Sequence, residues 1–587
     1  MQKTRKPTKY FWVFSVILLM SLVSMLYYGH RKEGYHVDEV YSYGLANSEY
    51  LPFMHFGVSG YDVKDWMLEY GAGESFGDLF RNLWKDYQIL KEENFQFYNS
   101  SIYQDYVIAQ ANSADTRTTT WVPGEDYLHY VAVSPENTFN YASVYYNQRG
   151  DVHPPFFYIL LHTVCSFFPE SFSKWYGLGV NITFMLLTLV VVYRMCSKYL
   201  GDELFGVCVA AVYGLSCGYV STAIFLRMYA VLTFMVASSC YLHLEIAENH
   251  FEVPKKTYWK LIIVTFLGFF THYYYVLYAI AVAAVMCVWM LWERRFRKVL
   301  VYIAAMAGTG AVGVCIWPFA IRHVFQGYRG MGAVKESLSG GAYLLKTKVM
   351  MHQIWTYVIG GHWWLMLLLA VVLVAVALLW KRKEIPYGKV FLFGLPLLAY
   401  VAATAQIVPY YTDRYVMCTF FFWSILAVSG VYYSVRIVCE KFCPAETDKG
   451  KKLSVGVIVG GVCVLVLLSN CYVKPPGYLY PDGQETVKLP ENTDCIYVLP
   501  DGDWNESAED STILAQARNV GIVYESELAV LQEGYRYNEG DYLMVCVQKA
   551  LDIENVLAKV HDTLGTEALQ EISRTEGNST VRILFTK

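Results

Sequence analysis

Long apolar runs recur along the chain, separated by polar segments that hold most of the charge. The first run, FWVFSVILLMSLVSMLYYG, starts at Phe11 and is long enough to cross a bilayer as one helix. Further runs lie at residues 175–195, 204–219, 228–244, 259–270, 275–292, 299–319, 363–380, 390–408, 416–438 and 453–471. This pattern predicts a polytopic α-helical membrane protein with about eleven transmembrane helices, some short enough to be broken or tilted.

Basic residues set the expected orientation. Lys3, Arg5, Lys6 and Lys9 precede the first run, so the positive-inside rule places the N-terminus in the cytoplasm. That run is too long for a signal peptide and lacks a small-residue cleavage site, which favours an uncleaved helix. If the runs alternate, the later basic clusters also fall on the cytoplasmic side, at residues 194–198, 255–260, 294–298, 381–383 and 441–452. We therefore expect a multi-pass protein of the cell membrane.

One apolar segment breaks the alternation. HPPFFYILLHTVCSFFPES, from His153, is bounded by prolines and has an apolar stretch of only about fifteen residues. Counting it as a span would move every later basic cluster outside. We expect it to form an interfacial helix in the outer leaflet instead.

Two regions lie outside the apolar runs. The first is a large outer loop at residues 29–153, and the second is a tail at residues 472–587. The tail segments CIYVLP, VGIVYES, YLMVCVQ and VRILFTK read as strands, and ALDIENVLAKVHDTL reads as an amphipathic helix. We expect residues 1–471 to form the transmembrane domain with its loop and residues 472–587 to form a small extracytoplasmic α/β domain. Cys495 and Cys546 fall in two of the strands, and whether they pair is left open.

Composition narrows the function classes further. Apolar residues make up 55% of the chain and the net charge is only −4, which gives no argument for a nucleic-acid partner. Most of the fourteen cysteines lie inside apolar runs without metal-ligand spacing, so we interpret those as small core residues.

Charged residues at the outer ends of the spans are the candidate chemistry. Asp38 and Glu39, in HVDE, follow the first helix, and a carboxylate at a membrane boundary often marks a site. Cationic candidates on the same side are His153, Arg227 in FLRMYA, His272 in THYYY and Arg414 in TDRY. Each residue alone is explained as an interfacial anchor. The positive-inside rule, however, disfavours the whole set on the outer side of the membrane unless these residues have a function.

This set suits the transfer of a group to a hydroxyl with phosphate as the leaving group. A carboxylate can take a proton from an attacking hydroxyl, while guanidinium groups bind a leaving phosphate and stabilise its charge. The sequence contains no HExxH motif and no Walker loop that would support zinc-dependent hydrolysis or nucleotide hydrolysis.

The same residues resemble a known superfamily. The first helix followed by HVDEVYSYGLAN, the outer loop ending in DVHPPFFYILLH, the arginine of FLRMYA and the late TDRY are similar to membrane glycosyltransferases of the GT-C superfamily. The nearest likeness is to the protein O-mannosyltransferase and aminoarabinose transferase branch, over roughly residues 1–438. The resemblance implies a GT-C fold with outer-leaflet juxtamembrane helices, and a transferase that uses a polyprenyl-phosphate-linked sugar.

The resemblance also implies residue roles. Asp38 would be the base toward the acceptor hydroxyl, and Glu39 would position the acceptor or hold a metal. Arg227 and Arg414 would hold the donor phosphate, and a further pair, His153 and His272, would line the site. No cofactor is required, and a divalent metal is possible. The expected partners are the lipid-linked sugar, an extracytoplasmic protein or cell-wall glycan as acceptor, and the bilayer.

Two departures from the family bear mainly on the acceptor. The first loop has an insertion at about residues 48–145, and His153 stands where some members have a lysine, so its contact with phosphate depends on protonation. A glycine-rich loop at 321–361 has two interpretations: a lid in which Arg322 or Arg329 reaches the phosphate, or a mobile linker.

Two other classes remain open. A transporter or flippase for a lipid-linked sugar would have polar groups near mid-membrane and paired halves. A non-catalytic envelope scaffold would use the tail to bind a partner and would leave Asp38 replaceable.

Overall fold

The computed structural model describes residues 8–52, 81, 84, 88, 120–325, 343–361, 387–408, 412–442, 450, 454–464, 475–481, 487–501, 506–531, 541–548, 550–565, 567–574 and 580–586. In chain order, its α-helices are α1 (Lys9–His30), α2 (Val37–Asn47), α3 (Gly124–Val131), α4 (Tyr141–Gly150), α5 (Phe156–Ser166), α6 (Lys174–Met195), α7 (Glu203–Gly214), α8 (Cys217–Ile224), α9 (Tyr229–Glu248), α10 (Lys255–Thr271), α11 (Tyr274–Trp292), α12 (Phe296–Ile316), α13 (Phe319–Phe325), α14 (Tyr343–Ile359), α15 (Tyr387–Ile407), α16 (Phe420–Phe442), α17 (Ser454–Val464), α18 (Ser511–Leu514) and α19 (Ile553–Leu564). The strands are β1 (Thr120–Pro123), β2 (Thr493–Leu499), β3 (Asn519–Tyr524), β4 (Tyr542–Gln548), β5 (Glu567–Arg574) and β6 (Thr580–Thr586).

The chain divides into two compact units. Met1–Gly29 and Leu178–Gly477 form the first, called the membrane unit below. His30–Gly177 and Tyr478–Lys587 form the second, called the loop–tail unit. The first outer loop and the tail, which the sequence analysis separates at residue 471, therefore belong to the same unit.

The membrane unit consists of apolar helices. Among the described residues, six helices are long and apolar enough to cross a membrane: α1, α6 with its π-helical extension Cys196–Leu200, α9, α11, α12 and α16 with the turn before it. The pair α7 and α8, bent by 56°, adds a seventh if it forms one broken span. By length and composition the chain is thus a membrane protein with several spans. The total of about eleven stays a prediction, because the run at 363–380 lies outside the described residues.

Helix α1 shows how these helices divide between protein and lipid. Its buried positions Phe14, Ser21 and Met25 recur on one face at helical spacing. Phe14 stacks on Tyr193 of α6 with ring centroids 4.1 Å apart. The other face is apolar and exposed, which suits contact with acyl chains rather than with water.

Helix α5 matches the apolar segment predicted not to span. It has eleven residues, so at the usual helical rise it is about 16 Å long, roughly half the thickness of a hydrocarbon core. Its place in the outer leaflet remains a prediction.

Within its described residues, the loop–tail unit is built on a six-stranded mixed sheet with the order β1-β3-β2-β4-β6-β5. β2 is parallel to β3 and β4, and the other pairs are antiparallel. The four strands and the helix predicted for the tail coincide with β2, β3, β4, β6 and α19. β1 was not predicted: it comes from the first loop and pairs with β3, Thr120 opposite Ile522.

The core of the unit forms between this sheet and α19. Val545 of β4 and Val556 and Val560 of α19 are fully buried in one apolar cluster. On β2 and β4, the thiols of Cys495 and Cys546 are also buried, and their sulfur atoms lie 3.7 Å apart.

Candidate functional site

The predicted carboxylates Asp38 and Glu39 lie in the first turn of α2. The HVDE segment also caps the N-terminus of this helix. The backbone N–H of Asp38 donates to His36 Nδ1 at 3.1 Å, and the backbone N–H of His36 donates to Glu39 Oε2 at 2.7 Å. These bonds satisfy two of the amide groups that every helix N-terminus leaves open. Negative charge is also favourable at this end of the helix dipole.

Glu39 is committed to a buried ion pair. Its Oε2 lies 3.0 Å from Nζ of Lys32, and both side chains are 0% exposed. Lys32 also donates to the carbonyl of Tyr478 at 2.6 Å, and its Nζ lies 5.3 Å from the ring of Tyr480. Charges are stable in such a place only when each is paired and hydrogen-bonded. The carboxylate of Glu39 thus anchors the start of α2.

Asp38 occupies a different environment one residue earlier. Its side chain is 18% exposed, and its Oδ2 lies 3.7 Å from His36 Nδ1. Because that nitrogen accepts the Asp38 amide proton in the cap, an ion pair with Asp38 requires protonation that breaks the cap. Asp38 is therefore the carboxylate of the two that a solvent-borne hydroxyl can approach.

His153 pairs with an acidic residue that the sequence analysis did not single out. Its Nδ1 lies 2.6 Å from Oδ2 of Asp151, and both side chains are largely buried. A hydrogen bond of this length to a carboxylate orients the imidazole ring.

The other cationic candidates lie in the membrane unit, each in a turn between helices. Arg227 is buried between α8 and α9, and its backbone N–H donates to the carbonyl of Phe225 at 2.7 Å. His272 is buried between α10 and α11, where its Nδ1 accepts the N–H of Tyr274 at 3.0 Å. Arg414 lies in a short 3-10 turn, and its guanidinium is 5.5 Å from the ring of Tyr415.

Aromatic rings bring these three turns together. The ring of His272 lies 5.7 Å from that of Tyr229, two residues after Arg227, and 4.7 Å from that of Tyr274. Tyr274 in turn lies 5.6 Å from Tyr415, the neighbour of Arg414. The turns that carry Arg227, His272 and Arg414 therefore adjoin one another in the membrane unit.

The proposed lid is only partly described. Arg322 belongs to α13, but its side chain is not described, and Arg329 lies outside the described residues. The neighbouring His323, which sequence reasoning missed, is buried, and its Nδ1 lies 2.8 Å from the hydroxyl of Tyr273 in the His272 turn.

A signal for the missed Lys32 was present in the sequence. The argument from the positive-inside rule that selected Arg227 applies equally to a lysine just outside the first span. Lys174, at the start of α6, is a second buried lysine, and it donates to the backbone carbonyls of His30 and Lys32. Among the residues that the structure describes, no group of three His, Cys, Asp or Glu side chains is placed to hold a metal ion.

Solved structures similar to this chain include two of one protein. No family model and no curated protein sequence matches the chain. The crystal structure of ArnT from Cupriavidus metallidurans in the apo state is similar with a TM-score of 0.41 and 14% identity, covering 79% of this chain and 93% of that one. The structure of the same protein bound to undecaprenyl phosphate has a TM-score of 0.39 and 13% identity, covering 74% and 87%.

Proposed function

We propose that this chain is an integral-membrane glycosyltransferase of the GT-C type. It moves a sugar from a polyprenyl-phosphate-linked donor to a hydroxyl of an extracytoplasmic acceptor, a protein or a cell-wall glycan. The observation that carries the proposal is the different environment of the two carboxylates in HVDE. Glu39 forms a buried ion pair with Lys32, whereas Asp38 lies in the same helical turn and is partly exposed. A general base needs both a fixed position and access to its substrate.

The reaction is a single displacement with inversion. The acceptor hydroxyl gives its proton to Asp38, and its oxygen forms a bond to the anomeric carbon of the sugar. The bond from that carbon to the phosphate oxygen breaks, and the phosphate leaves with the electron pair. Arg227 and Arg414 bind that phosphate and stabilise its growing negative charge.

The histidines support the phosphate in this scheme. Asp151 keeps the ring of His153 oriented, at the position where some family members have lysine. His272 holds the turn that lies between the two arginine turns. Glu39 acts through Lys32 and the cap, so we assign it positioning of Asp38 rather than direct contact with the acceptor.

A transporter of lipid-linked sugars is the second candidate, and His243 is the observation that favours it. This ionisable residue is buried inside α9, and such residues within spans often mark transport paths. However, its Nδ1 lies 2.7 Å from the carbonyl of Ser239 and its Nε2 lies 2.8 Å from the hydroxyl of Tyr302 in α12. This bonding suits a polar link between two helices.

The test is transfer of labelled sugar from polyprenyl-phosphate donors in membranes that contain the wild-type chain, Asp38→Asn or Arg227→Ala. Loss of a general base should lower the transfer rate by about 10²-fold or more while donor binding persists. Arg227→Ala should weaken donor binding itself. Asp562→Asn changes a carboxylate that is 85% exposed on α19 and serves as the matched control.

Two outcomes would contradict the proposal. If no donor in a panel of sugars and chain lengths is used, the transporter or scaffold class takes its place. If Asp38→Asn transfers as fast as Asp562→Asn, Asp38 is not the base. A parallel assay with EDTA decides whether a divalent metal takes part.

A further inference from the structure

The C-terminal tail is attached at two separate places to segments that adjoin the helix that carries Asp38, and we infer that its task is to position this helix. Tyr478–Lys587 is therefore a positioning element for α2 rather than an appended binding domain. The catalytic meaning of this inference rests on the proposed function, whereas its structural part does not.

The first attachment is at the N-terminus of α2. The tail begins by passing over the segment that precedes the helix: the backbone N–H of Glu33 donates to the carbonyl of Leu479 at 2.9 Å. Beside it, the carbonyl of Tyr478 accepts from Lys32, the partner of Glu39. Tyr478 and Tyr480 both have positive φ, at 66° and 46°. Side chains other than glycine adopt that backbone region rarely, and they keep it where surrounding contacts determine the conformation.

The second attachment runs through β1 and α3. The strand β1 is the edge of the tail's own sheet, and the ring of Trp121 covers Gly521 of β3 so closely that a Cβ there would lie 2.7 Å from it. At the end of β1, the N–H of Gly124 donates to the carbonyl of Arg518 at 3.2 Å. A Cβ on Gly124 would lie 1.9 Å from the carbonyl oxygen of Ala517, so the loop and tail backbones touch at this point.

Helix α3 then connects this junction to α2. The ring of Tyr130 packs against Gly44, where a Cβ would lie 2.1 Å from it. Asn47, the last residue of α2, donates to the carbonyl of Val131 at 2.6 Å. Within α3, the hydroxyl of Tyr127 lies 2.9 Å from that of Ser507 in the tail, and both are buried.

The tail is braced where α3 meets it. Arg518 precedes β3, and its guanidinium bonds Asp494 of β2 at 2.6 Å and Asp541 before β4 at 3.0 Å. These two carboxylates raise the pKa of the guanidinium further above its ordinary value. The three parallel strands are thereby tied at the end that receives Gly124. Displacement of this end would move α3, and α3 would move α2.

The inference is tested in the full chain with Gly124→Ala. Gly179→Ala is the control, because it makes the same change in a helix where a Cβ meets nothing within 4 Å. Hydrogen exchange of the α2 amides should be about tenfold faster in Gly124→Ala and unchanged in Gly179→Ala. The reason is that loss of the backbone contacts between Gly124 and the tail should change the opening equilibrium of α2 by about that factor. In the transfer assay, Gly124→Ala should lower kcat and leave KM for the donor unchanged.

Tyr127→Phe is a milder variant that keeps the packing and removes one buried hydrogen bond. It should accelerate exchange in α2 by a smaller factor than Gly124→Ala. If neither variant changes exchange in α2, the inference is wrong, whatever the activity. If exchange accelerates but the wild type transfers no sugar, the tail does position α2 and only the proposed function fails.

Discussion

Lys32→Met should destabilise α2 far more than the loss of one exposed charge would. Lys32 and Glu39 are both fully buried, and their charged atoms are 3.0 Å apart. Methionine fills a similar volume but leaves the carboxylate of Glu39 buried without its cation. Removing one partner of a buried pair costs about 3–5 kcal/mol, most of it from the charge that is left behind.

The second partner supplies a rescue. In Lys32→Met with Glu39→Gln no charge remains in the pocket, and glutamine can still accept the N–H of His36 in the cap. Apolar or neutral replacements of a whole buried pair are often close to neutral in stability. The double variant should therefore recover most of the free energy that Lys32→Met loses, which makes the two substitutions strongly coupled.

Hydrogen exchange of the α2 amides in detergent micelles measures this free energy. A loss of about 3 kcal/mol corresponds to exchange more than about a hundredfold faster. Lys559→Met is the matched control: it removes an exposed pair with Glu525 at 3.5 Å, of a kind worth about 0–1 kcal/mol. Equal protection in Lys32→Met and Lys559→Met, or a double variant as unprotected as Lys32→Met, would refute the account of this pocket.

Three further predictions concern the same unit. His36→Ala removes the cap of α2 and should cost about 1 kcal/mol, whereas His36→Asn keeps an acceptor and should cost little, as read from denaturant midpoints. Burial lowers the pKa of His162 to about 4, below the value of about 6.5 in an unfolded chain. Stability should thus be full above pH ~6.5 and fall by about 1.4 kcal/mol per unit as the pH drops toward 4, a loss that His162→Gln should flatten in thermal unfolding. For a tail exposed to an oxidising compartment, exchange with an external disulfide should join Cys495 and Cys546, so non-reducing digestion should give one linked peptide, and separate thiol-blocked peptides would contradict it.

Local pattern predicted the elements of this protein well. Long apolar runs located the helices that are long and apolar enough to cross a membrane, because a helix in lipid must satisfy its own backbone and cover itself with apolar side chains. Short, nearly continuous apolar runs located β2, β3 and β4, which are buried in the centre of the sheet. Both signals reside in short stretches of chain.

The same local patterns did not predict the pairing of strands that are far apart in the sequence. β1 has only four residues, TWVP, and it ends in a proline, as an edge strand can. It pairs with a strand about four hundred residues later, Trp121 opposite Gly521. No local periodicity marks such a strand. The sequence analysis therefore assigned the loop and the tail to separate domains.

The two carboxylates of HVDE show why a motif identifies a site more readily than it assigns a role to each of its residues. Asp38 and Glu39 are adjacent and chemically alike, and sequence reasoning placed both in the catalytic set. In α2 they diverge because successive helical residues point about 100° apart: Glu39 turns inward to Lys32, while Asp38 stays partly exposed. The buried carboxylate orients the helix that carries its neighbour, so exchanging Glu39 for Gln should change the position of the base, whereas exchanging Asp38 for Asn should remove the base itself.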